Sequence, residues 1–362
     1  MPLIPGGTPE LYLSGLSPGE IDEALGYSGG FRASQIYGWI TKGAGDFASM
    51  TNLPAAERSR LASIYGTLRS SSVTSEFADE DGSLKLQIRL RDGSAVECVL
   101  LEDIEGRKTA CLSSQVGCPM GCRFCRTGQL GYLRNLGADE ILEQYYFLKE
   151  RRGFVSNVVF MGMGEPLLNL AAVRKAVSIL ADRRGIAMSL RKITISTCGI
   201  VPGILDLAAN GPRVRLAVSL TAADEDLRTE LMPVNKTWDL TALKDSLLAY
   251  QEMTGDRVTL EAVITGNRNG SVESARSLAG WVQPLKVQVN VIPWNAVPGM
   301  DFTEPSKTQM RAFIEVLERS GITVVQRMHR GRGVMGACGQ LGDTLRADQI
   351  LDHTLFPPPA AV

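Results

Sequence analysis

Three of the chain's seven cysteines stand close together, at Cys118, Cys122 and Cys125, in a C-x3-C-x2-C spacing. The stretch around them, residues 111–131, has glycines at 117, 121, 128 and 131, and Phe124 directly precedes the last thiol. Thiolates are soft ligands that select zinc, copper(I) or iron–sulfur clusters. A structural zinc closes its shell with four ligands, and this loop offers three plus the more distant Cys111. A cubane cluster takes one cysteine at each iron. Three thiols therefore leave one iron open to a small molecule, and an open-site cluster is the reading the spacing favours. Zinc is the alternative, and three packed core thiols are the bland one.

The elements that must position this loop follow from hydropathy periodicity. Residues 1–70 read as helical: Ser17-Pro18-Gly19-Glu20 is a helix start, and a second helix over about 31–42 carries Phe31, Ile36, Trp39 and Ile40. Residues 71–103 alternate, with Leu84, Leu86, Ile88 and Leu90, a turn at Asp92-Gly93, then Val96, Cys98 and Leu100. That is a small antiparallel β module. Strands are then expected near 109–114, 155–161, 192–197, 214–220, 257–264, 286–292 and 322–328, with amphipathic helices between them. Strand–helix alternation means parallel strands with helical crossovers. The class is α/β, with about six units forming part of a barrel over residues 104–331. A C-terminal segment, 332–362, ends in a proline-rich tail, Phe356-Pro357-Pro358-Pro359, expected to be disordered.

In such sheets ligands gather at the carboxyl ends of the strands. Gly162-Met163-Gly164-Glu165-Pro166 follows one strand and lacks the third glycine of a dinucleotide fingerprint. Gly164 lets backbone approach a ligand, and Glu165 suits an ammonium group. Ser196, the triplet Ser219-Leu220-Thr221, and Asn295 fall at later strand ends. Each alone reads as a turn residue; above one cysteine loop they form a shell.

The chain has 362 residues, 44% hydrophobic and 21% charged, with a formal net charge of −1. It reads as a soluble globular protein without a membrane span or signal peptide. An odd number of cysteines points to a reducing compartment, hence the cytoplasm, and away from a disulfide framework. The net charge does not announce a nucleic-acid binder, although local basic clusters exist, among them Arg327, His329, Arg330 and Arg332.

Taken together, the cysteine loop, Gly-Met-Gly-Glu-Pro-Leu-Leu-Asn at 162–169, Ile195-Ser196-Thr197, Ile292-Pro293-Trp294-Asn295 and Ala337-Cys338-Gly339-Gln340-Leu341 resemble the RlmN/Cfr family. These are radical S-adenosylmethionine RNA methyltransferases, and the resemblance, strongest to the RlmN branch, spans about residues 30–342. It implies a radical S-adenosylmethionine barrel with an N-terminal helical RNA-binding domain and a [4Fe–4S] cluster on Cys118, Cys122 and Cys125. It also implies S-adenosylmethionine, two per turnover, held by Gly164, Glu165, Ser196, Ser219, Leu220, Thr221 and Asn295. The implied substrates are 23S ribosomal RNA and tRNA, methylated at carbon 2 of an adenine, or at carbon 8 as in the Cfr branch. A monomer reduced by a donor such as flavodoxin completes the expectation.

The same resemblance gives Cys338 the role of methyl carrier and Cys111 that of resolving thiol, joined in a transient disulfide, with Glu97 as proton acceptor. Arg330 and Arg332 are expected to favour the thiolates, and the glycine-rich segment before Cys338 to be mobile. Cys98 and Cys198 are read as structural. Thr221 departs from the family, which usually has histidine there, so no group titrating near neutrality is available at that position. Two other classes remain open on the sequence: a zinc-bound RNA-binding module, and a radical enzyme acting on a protein or small molecule.

Overall fold

A computed structural model describes residues 12–342; the N-terminal residues and the proline-rich tail lie outside the described part. Three helices come first, α1 (Pro18–Leu25), α2 (Phe31–Lys42) and α3 (Ala55–Tyr65). Glu20 accepts from the Ser17 N–H at 2.8 Å, the half of a capping box that the sequence promised. On α2, Ile36 and Ile40 are buried, whereas Phe31 is 72% exposed, because the core-facing stripe runs through Ala33, Ile36, Tyr37 and Ile40 instead.

Strands β1 (Ser72–Ala78), β2 (Leu84–Arg89) and β3 (Ala95–Glu102) are antiparallel and lead into β4 (Lys108–Cys111). After β4 comes a short hairpin of β5 (Gln115–Gly117) and β6 (Tyr132–Asn135), with the one-turn α4 (Arg126–Gln129) between its strands. Then strand and helix alternate: α5 (Ala138–Arg152), β7 (Asn157–Phe160), α6 (Leu170–Ala181), β8 (Ile193–Thr197), α7 (Val201–Asn210) and β9 (Arg215–Ser219). The short α8 (Glu225–Leu231) and the longer α9 (Leu240–Thr254) precede β10 (Val258–Ile264), α10 (Val272–Trp281), β11 (Val287–Pro293), α11 (Lys307–Arg319) and β12 (Thr323–Gln326).

Strands β4, β7, β8, β9, β10, β11 and β12 pair in parallel in that order, so chain order and spatial order coincide. This is the partial parallel α/β barrel expected from the alternation, its core filled by strand residues such as Val158, Ile195, Val218, Leu260 and Val289. The antiparallel strands are not a separate sheet. β3 pairs with β4 edge to edge, and β1 to β12 form one ten-stranded sheet apart from the β5–β6 hairpin.

Period-two alternation foresees a wet polar face on this antiparallel part. Instead Lys85 and Glu97 are as buried as their apolar neighbours. The reason is the segment that leaves β12. Asp81 accepts from the Gly331 N–H and Asp79 from the Gly333 N–H, each at 2.8 Å, which lays residues 331–342 across that face.

Among the ties between the N-terminal helices and the barrel is one buried acid. Glu143 on α5 is fully buried and accepts from the Ser14 hydroxyl at 2.9 Å and the Ser70 and Ser71 N–H groups at 2.8 Å each. Burial pushes its pKa from 4.5 up to about 6. The folded state thus holds a proton that the unfolded chain gives up, and stability falls as pH rises from 4.5 through 6, levelling off by about pH 7. The window is worth about 2 kcal/mol. Urea unfolding at pH 4.5 and 7 is expected to give this difference as the part of the wild-type slope that Glu143→Gln loses.

Candidate active site

The cysteine loop is pinned at both ends. The Cys118 N–H donates to Gly131 C=O at 2.7 Å across the β5–β6 hairpin. A side chain on Gly117 would lie 2.0 Å from the Gly131 oxygen, so only glycine allows that crossing. Gly128 is constrained likewise, since a Cβ there would sit 2.8 Å from the Cys122 oxygen. The Arg123 N–H donates to Leu231 C=O at 2.9 Å, anchoring the loop to the end of α8. Neither the hairpin nor α8 is visible in the periodicity, being too short and too polar.

Cys118, Cys122 and Cys125 line one cavity of about 160 Å³ at the carboxyl ends of the parallel strands. Gly164, Glu165, Ser196, Ser219 and Asn295 line it too, as the sequence reading had it. Leu220 and Thr221 are not among its lining residues; both are buried behind it. Thr221 has a left-handed backbone, φ 59°, and a buried hydroxyl without a hydrogen-bond partner. Glu165 is buried, and its two oxygens accept from the Leu167 and Cys198 N–H groups at 3.0 and 2.8 Å. Desolvation raises its pKa in spite of those bonds.

Cys198, read as structural, is a cavity residue, because the turn after β8 brings it beside Glu165 and the cluster-loop thiols. Glu261 is a second wall residue that the sequence reading missed. It lies on β10 in an unremarkable apolar run, accepts from Asn290 Nδ2 at 2.8 Å, and has its pKa raised by burial. Behind the wall Arg228 of α8 is wholly buried and donates to Ser219 C=O at 3.0 Å, Cys198 C=O at 2.9 Å and Asn235 Oδ1 at 3.1 Å. It fixes the ends of β8 and β9, and burial lowers its pKa to about 10, which still leaves it a cation.

Cys338 is exposed and lines the same cavity. Its segment is tied by three hydrogen bonds. Gly339 C=O accepts from the Arg126 N–H at 2.7 Å, Leu341 C=O from the Thr127 hydroxyl at 2.7 Å, and Cys338 C=O from Asn295 Nδ2 at 3.1 Å. Asn295 also meets His329 Nδ1 at 2.8 Å. Cys111, at the end of β4, is buried. Burial pushes both thiols up, and negative charge on Cys338 opposes ionisation of Cys111. The cation whose charge counters this at both thiols is Arg327. Arg330 and Arg332 do not serve: Arg332 pairs with Glu304 and Arg330 turns to Asp81 C=O.

Glu97 is fully buried on β3 and is not a lining residue of the cavity. Its Oε1 takes Gln87 Nε2 at 3.3 Å and Lys85 Nζ at 3.4 Å, and its Oε2 takes the Gly342 N–H at 2.8 Å.

A parallel α/β partial barrel with three thiols on one loop above its strand ends defines a class, the radical S-adenosylmethionine enzymes. The family model for the radical SAM superfamily matches residues 112–274. The crystal structure of a radical SAM methyltransferase from Sphaerobacter thermophilus superposes with a TM-score of 0.88 at 37% identity, covering 91% of this chain and 99% of that one. The probable dual-specificity RNA methyltransferase RlmN of Treponema pallidum strain Nichols is 46% identical over 332 residues, 92% of this chain and 97% of that protein. The protein of the same name from Treponema denticola is 47% identical, covering 92% and 95%. The chain belongs to the RlmN family of radical SAM methyltransferases.

The residues present fit the implied cluster. Three thiols of one loop line one cavity, and the loop supplies one ligand fewer than the four that close a structural zinc site. In a cubane each thiolate meets a different iron, which suits three thiols spread along a cavity wall. Anaerobic reconstitution is expected to give a brown protein with about four irons per chain, and Cys122→Ala to lose most of the iron and the colour. Stoichiometric zinc in a colourless protein contradicts the assignment.

Proposed function

We propose that this chain methylates carbon 2 of an adenine in 23S ribosomal RNA and in tRNA, by way of a methyl group carried on Cys338. The observation that carries the reading is the placement of two thiols on different elements, Cys338 on the wall of the cavity and Cys111 at the end of β4, near enough for charge on Cys338 to oppose its ionisation. A methyltransferase working by displacement alone has no use for such a pair. Carbon 2 of adenine is an amidine carbon without a nucleophilic lone pair, so a displacement cannot methylate it, whereas a carbon radical adds to it.

The three loop thiols would hold the cluster, and Gly164, Glu165, Ser196, Ser219 and Asn295 the S-adenosylmethionine. Together these groups supply, when bound, a methyl donor and a one-electron route to a carbon radical, at a cost of two S-adenosylmethionine molecules per turnover. The chain's own residues do the rest. Cys338 accepts the methyl on sulfur with loss of its thiol proton; that methyl would give one hydrogen atom to the radical the bound groups supply, the carbon left on sulfur bonds to the ring carbon, and one electron would return to the cluster, which leaves the base joined to Cys338 as a thioether. Glu97 takes the proton from the ring carbon. Cys111 attacks the Cys338 sulfur; an S–S bond forms, the S–C bond breaks, and the carbon leaves with the electron pair and gains a proton to become the methyl of the product. Arg327 favours the attacking thiolate. A single-electron donor such as flavodoxin is the partner this chemistry asks for.

Support for an RNA substrate comes from the relatives at 46–47% identity, which are named as dual-specificity RNA methyltransferases. Among the described residues no helix is long and apolar enough to cross a membrane.

Two measurements test the reading. Cys338→Ala is expected to give no methylated product, and Cys111→Ala to accumulate an RNA–protein adduct that survives a denaturing gel. Normal turnover by Cys111→Ala without an adduct contradicts the two-thiol mechanism. Mass spectrometry of nucleosides from RNA treated with the wild-type enzyme is expected to show 2-methyladenosine; 8-methyladenosine would move the chain to the other regiochemistry.

A further inference from the structure

The loop that carries Cys338 has two feet, and both stand on the same buried ion pair. Lys85 on β2 and Glu97 on β3 lie on one face of the antiparallel strands, 3.4 Å apart from Nζ to Oε1, and neither is exposed to solvent. Lys85 Nζ also donates to Met335 C=O at 3.4 Å, and Glu97 Oε2 accepts from the Gly342 N–H at 2.8 Å. Met335 and Gly342 are the entry and exit of the loop, both with left-handed backbones, φ 51° and 128°. Gln87 steadies the pair from the position directly across the strands from Glu97, and the Phe77 ring lies 5.3 Å from the ammonium.

Burying a lysine and a glutamate on a strand pair is unfavourable unless each charge finds partners. Here each finds the other and one backbone group of the Cys338 loop. Stability alone would be served as well by two apolar residues of the same volume, so the polar pair calls for a role that apolar side chains cannot fill. Fixing the register of the loop is such a role.

We propose that the Lys85–Glu97 pair is a clamp that sets the position of the Cys338 loop, with Lys85 as a positioning residue for the methyl-carrying thiol. The clamp makes one carboxylate do two things. The oxygens that would take the ring proton are the ones that hold Gly342 and Lys85, so Glu97 becomes free to act only as the loop shifts. Movement of the loop and release of the base are thereby one event. The function given to Cys338 and Glu97 rests on the mechanism proposed above; the clamp itself is a statement about the loop and is read without turnover.

The test uses the reconstituted full-length enzyme and two readouts: hydrogen exchange at the Gly342 amide, and the rate at which iodoacetamide alkylates Cys338, followed by peptide mass. Lys85→Met is expected to speed both by roughly tenfold or more, since a local opening then costs less. Lys85→Arg, which keeps the charge and donors, is expected to stay within about threefold of wild type. Should Lys85→Met fail to fold, Glu97→Gln serves: it keeps an acceptor for Gly342 but cancels the ion pair, and alkylation should again quicken. Wild-type exchange and alkylation in either folded variant overturn the clamp. Quickened alkylation in an enzyme that forms no RNA adduct when Cys111 is replaced would keep the clamp and overturn the mechanism instead.

Discussion

Everything at this site depends on a close approach of two backbones, the cysteine loop and the segment around Cys338. The Arg126 N–H to Gly339 C=O bond, 2.7 Å long, brings a thiol from the end of the chain onto a loop more than two hundred residues earlier. Gly339 has φ 84°, and a Cβ there would be 3.3 Å from the Phe124 oxygen. A side chain at that point would both strain the backbone and push the two loops apart. The Trp294 indole N–H, donating to the same Phe124 oxygen at 3.1 Å, adds a third element to the contact. Thus β11, the cluster loop and the C-terminal segment meet at one carbonyl.

The barrel makes that meeting possible because it is incomplete. Its parallel strands stop at β12, and the antiparallel strands extend the sheet on the other side through β3–β4. The segment leaving β12 crosses to the far end of this extension and is caught there by Asp79, Asp81, Lys85 and Glu97. A closed eightfold barrel fills its interior with side chains; here the open side is spanned by a loop instead. Polar burial elsewhere serves the same end. Arg228 ties the ends of β8 and β9, which set Cys198 and Ser219 in the cavity wall.

Much of this was legible in the sequence because two signals are strong: thiols at tight spacing, and strand–helix alternation. The parallel strands fall where the periodicity puts them, and Gly164, Glu165, Ser196, Ser219 and Asn295 share a cavity with the three thiols. What stayed hidden has physical reasons. Inside a barrel both faces of a strand are covered, so alternation cannot tell that Glu261 points at the cavity. The burial of Lys85 and Glu97 depends on a segment some 250 residues away, and no local pattern reports a tertiary cover. Arg327 could not be singled out from Arg330 and Arg332, since only the fold decides which cation's charge reaches the sulfurs. Cys198 looked like packing until the turn after β8 placed it beside Glu165.

The central claim is that three protein thiols hold the cluster and leave one iron to the amino and carboxylate groups of S-adenosylmethionine. The direct measurement is electron–nuclear double resonance on the reduced, reconstituted enzyme with S-adenosylmethionine labelled at its amino nitrogen. A coupling from that nitrogen to the cluster is the result this account predicts. No coupling, with a fourth thiolate such as Cys198 on the remaining iron, would contradict it.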